Sequence, residues 1–70
     1  LNPKTFNDLA GMRVGWSTYD DDGVRFVKIA DNEDGSVVIQ EALPNGYPKK
    51  DSEPIIITEE IFNAGWEDDD

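Results

Sequence analysis

The sequence predicts a mainly β domain with short terminal helices, built as a small antiparallel meander or barrel. The alternative is an α+β arrangement, a three- or four-stranded sheet with helices on one face. Three observations carry this prediction. Residues 13–19, 24–31 and 36–43 form regularly spaced runs rich in β-branched and aromatic side chains. The connectors Asp20-Asp21-Asp22-Gly23 and Asn32-Glu33-Asp34-Gly35 share one design. Acids and Asn suit type I turn positions, and the closing Gly takes the left-handed conformation that returns the chain to the ladder. Finally, apolar residues occur on both faces of the second and third runs: Val24 and Phe26 against Val27 and Ile29, Val37 and Ile39 against Val38. Either both faces are covered or a bulge switches the face midway.

Taken in chain order, residues 2–11 read as a helix. Asn2 is placed to cap it and Pro3 suits its first position; Phe6, Leu9 and Ala10 share one face, and Gly11 supplies the stop. A helix this short persists only if that face docks. Residues 44–54 hold three prolines, Asn45, Gly46 and the Lys49-Lys50 pair, and read as one long loop of the kind often used for binding. Ile55-Ile56-Ile57 is a short strand. Thr58 then caps a turn or two of helix running through Phe62 toward Gly65, with Glu59 and Glu60 favourable at its positive end. Trp16 and Trp66 read as core. Residues 67–70 form an acidic tail to a single domain spanning 1–70.

Charge is the chain's main functional signal. Sixteen Asp and Glu stand against six Lys and Arg, a formal charge of -10 on 70 residues. Solubility alone asks for a magnitude of roughly 2 to 8. Such a balance disfavours direct contact with nucleic-acid backbones or anionic membranes, both of which select positive charge. It favours a basic protein surface instead. Crowded carboxylates are also expected to be harder to ionise in the folded state. That raised pKa would give stability at lower pH that fades as pH rises.

Ordinary active-site chemistry is largely removed. With no His and no Cys, Ser-His and Cys-His nucleophiles and imidazole or thiolate zinc sites are impossible. Glu41, within the third run, is the one carboxyl placed to be a raised general acid. The EF-hand pattern fails at both acidic turns: Ala30 occupies the first ligand position of one, and Ile29 the last position of the other. We therefore expect no enzyme, no metal and no cofactor. The lack of Cys agrees with a reducing compartment, and the chain is expected to be cytoplasmic.

The short strands, tight acidic hairpins and late helical turn resemble SH3-like small barrels in their spacing. The expected function is a non-enzymatic acidic interaction module that binds a basic protein surface. An inhibitor or nucleic-acid mimic acting on a nucleic-acid-binding protein is its specific form. The alternative is a structural or accessory subunit whose acidity only keeps it soluble. The residues expected to contact the partner are Asp20, Asp21, Asp22, Glu33 and Asp34 on the hairpin tips, with Tyr47 as an exposed aromatic anchor. In a meander the two tips fall at opposite ends of the second strand, roughly 25 Å apart at ~3.3 Å per residue.

Overall fold

The computed structural model describes residues 3–20 and 22–65. Four strands, β1 (Ser17–Tyr19), β2 (Arg25–Asp31), β3 (Val37–Glu41) and β4 (Ile55–Ile57), pair antiparallel in chain order. Two short helices flank them, α1 (Phe6–Ala10) before the sheet and α2 (Glu59–Asn63) after it. Strands β1 and β4 lie at opposite edges, so the sheet is open. The predicted antiparallel meander is present, and among the described residues its open sheet with two short helices fits the α+β alternative, in which helices rather than closure hide the apolar face. Trp66 and the 67–70 tail lie outside the described residues, as do Asn2 and Asp21.

Both acidic connectors form the expected hairpin turns, and a third matches them. In each, the first residue's amide donates to the fifth residue's carbonyl, and the glycine amide donates back to the first carbonyl. The pattern runs over 20–24, 32–36 and 43–47. The glycines Gly23, Gly35 and Gly46 have φ of 86°, 93° and 91°, in the region that side chains resist. The third turn corrects the reading of 44–54 as one long loop. The chain reverses at once and returns beside β3, with Ala42 bridged to Pro48 and the Lys49 amide donating to the Glu41 carbonyl at 2.8 Å. Residues after Lys49 detour through a turn closed by Ser52, and the edge resumes as β4. Gln40 pins that detour, its Nε2 donating to the carbonyls of Lys49 (2.8 Å) and Ser52 (2.9 Å).

The β2–β3 register shifts between Lys28 and Ala30, which identifies Ile29 as a bulge. It accounts for the switch of face after Lys28, while Phe26 and Val27, which precede it and point opposite ways, are both buried, at 6% and 3%. Up to Lys28 the even residues face the core; beyond the bulge, Ala30 pairs with Val38 and Asp31 with Val37. Lys28 and Asp31, three apart, therefore share a face, which a regular strand's two-residue alternation forbids. Their side chains meet at 2.7 Å.

One face of the sheet carries Phe26, Val37, Ile39 and Ile57, which form the core with Leu9 of α1 and Phe62 of α2. Phe6 and Phe62 join the two helices edge to face, ring centroids 6.1 Å apart. Helix α1 is shorter than the sequence predicts, because Thr5 rather than Asn2 caps it. The Thr5 hydroxyl accepts from the Asp8 amide while the Asp8 carboxylate accepts from the Thr5 amide. Thr58 caps α2 as expected, accepting from the Ile61 amide. The opposite face of the sheet, set by the register, presents Ser17 and Tyr19 of β1, Arg25, Val27 and Ala30 of β2, Val38 and Gln40 of β3 and Ile56 of β4. No helix packs on it among the described residues.

Lys28 is the unexpected core member. It is 1% exposed and faces the helices. Its Nζ donates to the carbonyls of Leu9 (3.2 Å), Ala10 (2.8 Å) and Met12 (2.7 Å). They lie at and just beyond the end of α1, where helical partners run out, although the Leu9 carbonyl also accepts from the Met12 amide at 3.2 Å. Helix α1 has no basic residue in its own last turn, so the sheet supplies the cation that the negative end of the helix dipole favours.

Candidate functional site

The residues singled out by sequence divide between the two ends of the sheet. The 20–23 and 43–46 turns share one end, because β2 begins where β3 finishes; Glu33 and Asp34 occupy the other. Arg25 ties the 43–46 turn to β1. Its Nη1 donates to the Pro44 carbonyl, its Nε donates to the Ser17 hydroxyl at 3.1 Å, and its guanidinium lies 5.7 Å from the Tyr19 ring centroid. Gly46 passes so near that a Cβ there would meet Arg25 Nη2 at 3.4 Å.

Asp20 is not a surface acid. It is 4% exposed, and its Oδ1 accepts from the amides of Asp22 and Val24, both at 2.9 Å. Its carboxylate builds the turn that displays Asp22, which is exposed; Asp21 lies outside the described residues. Asp20 therefore acts through the turn, and Asp22 is the described acid there that is free to meet a partner. Tyr47 is 69% exposed. Its backbone is held by its amide to Asn45 Oδ1 (3.1 Å) and its carbonyl to the Leu43 amide (2.8 Å), so the ring projects from a fixed base. Leu43 and Tyr19 are exposed at the same end.

At the far end Glu33 and Asp34 are both exposed. A cleft of about 270 Å³ opens beside them, lined by Phe6, Asn7, Asp34, Ser36, Thr58 and Glu59. Its polar groups are largely engaged: the Thr58 hydroxyl caps α2, and Asp34 Oδ1 accepts from the Ser36 hydroxyl (2.7 Å) and amide (2.9 Å). The Ser36 hydroxyl, then its amide, hold the Asp34 carboxyl below its ordinary value of 3.8. At Asp34 this reverses the expectation of raised carboxyls, because local donors outweigh general crowding. A depressed pKa gives stability that is complete above 3.8 and is lost as pH falls through the lower folded-state midpoint. Ser36→Ala should move the Asp34 midpoint upward in a carboxyl NMR titration. An unmoved midpoint would show that the hydroxyl is not its cause.

Glu41 is not in an apolar pocket. Its Oε2 lies 3.6 Å from Lys49 Nζ and its Oε1 accepts from the Ser52 hydroxyl at 3.4 Å, at a half-exposed position at the end of β3. Trp16, expected in the core, is 56% exposed, because the chain turns at 13–16 before β1 begins; Arg13 stands 5.9 Å from its ring centroid. No group of three or more acids is arranged to hold a metal ion among the described residues. No helix among them is long and apolar enough to cross a membrane. The chain matches no protein-family model, and neither a curated protein nor a solved structure shows significant similarity to it.

Proposed function

We propose that this protein is a non-enzymatic interaction module that binds a basic protein surface through the sheet end carrying Asp22 and Tyr47. The supporting observation is their shared location. The meander brings a displayed acid and a 69% exposed aromatic on a rigid turn to one end, buttressed by Arg25. Acids at a rim steer encounter, and a fixed aromatic that fills a partner pocket slows departure. The chain's charge of -10 adds a long-range attraction for a basic partner, such as a nucleic-acid-binding protein. Glu33 and Asp34 lie too far away to join this contact and contribute through that general field.

The test is kinetic, on a partner recovered from the native host. Asp22→Asn should mainly slow association, severalfold at low salt, while Tyr47→Ala should speed dissociation by about tenfold or more. Affinity should fall steeply between about 50 and 200 mM salt. Asp20 is left unsubstituted, because its carboxylate organises the turn. A partner held equally well by both variants and at both salt concentrations would overturn the proposal in favour of an accessory subunit whose acidity only solubilises it.

A further inference from the structure

The sheet face turned away from the helices has a composition that an ordinary solvent-facing sheet lacks. Antiparallel sheets packed on one side usually turn polar residues to water on the other. Here Ala30 and Val38 are half-buried and Ile56 is 56% exposed, while Val27 on the same face is buried at 3%. In a chain with sixteen Asp and Glu, not one acid occupies an open-face strand position. The charge there is Arg25, already engaged by Ser17, Pro44 and Tyr19. The acids stand around the face instead: Asp22 at one end, Glu33 and Asp34 at the other, Asp51 and Glu53 exposed on the approach to β4. Accessible apolar side chains at Val38 and Ile56, bordered by acids, have the anatomy of a protein interface.

Resting on the interaction-module reading, we infer that this open face receives a partner segment in which apolar residues alternate with Lys or Arg. Its apolar side chains would pack on Val38 and Ile56, and its cations would meet the acidic rim. Charge selects this occupant. A second copy would bring -10 against -10 and repel, whereas a basic segment gains from both the rim and the centre. Tyr47 and Asp22 lie at the end of the same sheet, so one partner can span both contacts.

The probes are two short synthetic peptides of equal charge, one alternating Lys with Leu and one alternating Lys with Ser, each titrated into the full chain. The Lys-Leu peptide should bind about tenfold more tightly, and that ratio should survive added salt while both affinities fall. Amide NMR shifts should move along β3 and β4, not along α1 and α2. Ile56→Thr and Val38→Thr keep strand propensity and should abolish the preference while leaving the Lys-Ser affinity unchanged. Equal binding of the two peptides, shifts confined to the helices, or a preference that persists in both variants would overturn this inference and leave the module reading standing. Binding of neither peptide would overturn both. Dimers in sedimentation equilibrium at high salt that Ile56→Thr abolishes would show that the face belongs to a second copy.

Discussion

Lys28→Met should destabilise the protein by roughly 3 kcal/mol and release α1 from the sheet. Met replaces the apolar stem at similar volume, so the loss isolates the ammonium. That group serves the carbonyls of Leu9, Ala10 and Met12 and pairs with Asp31 at 2.7 Å. The Leu9 carbonyl keeps the Met12 amide at 3.2 Å, so the loss falls mainly on the part-buried Ala10 and Met12 bonds and on the buried ammonium's ion pair. A 70-residue domain has roughly 4–10 kcal/mol in total, so this one change removes a large share. Asp31→Asn should cost far less, because the Asp31 side chain is 55% exposed and leaves the three carbonyl bonds intact. Urea denaturation followed by circular dichroism orders the two. Equal costs would mean that the ion pair, not the helix cap, is what Lys28 supplies.

Nothing in the local sequence announces Lys28, and the reason is geometric. A Lys between Val27 and Ile29 in a β-rich run reads as solvent-facing. Its burial depends on carbonyls more than fifteen positions upstream, which tertiary packing alone brings near. The bulge at Ile29, which puts Asp31 on the same face, leaves only the weak signal of apolar residues at both parities. The turns are the opposite case. Glycines at 23 and 35 follow acids that accept local amides, and both elements of that chemistry lie within five residues. The third turn carries the same code in Asn45-Gly46, with Asn45 accepting from the Tyr47 amide. It was hidden because prolines on either side suggested irregular chain. The exposure of Tyr47 was legible for that very reason, since no strand or helix claimed it. The burial of Asp20 was not, because adjacent aspartates look alike until the fold buries it. The acid-free face is legible only once the register is known: it is a property of alternate residues on four strands.

Phe62→Ala should cost about 3–5 kcal/mol, the other large effect available in this fold. Helix α2 has five residues and buries one of them, so Phe62 carries nearly all of its attachment to the core. A helix this short has no independent stability, and without that side chain its residues should lose helical shifts altogether. The ring also meets Phe6 edge to face at 6.1 Å and 72°, which couples the two helices across the covered face. Phe6→Ala alone should cost less, because Phe6 is only partly buried. A double-mutant cycle should give a coupling of about 0.5–1.5 kcal/mol between them, the usual worth of such a ring pair beyond its buried area. A coupling near zero would mean that α1 and α2 dock on the sheet independently, with the ring contact incidental. The cycle also separates stability from binding. Both phenylalanines lie under the helices, so where either single variant stays folded, its affinity for the alternating Lys-Leu peptide should match that of the parent chain.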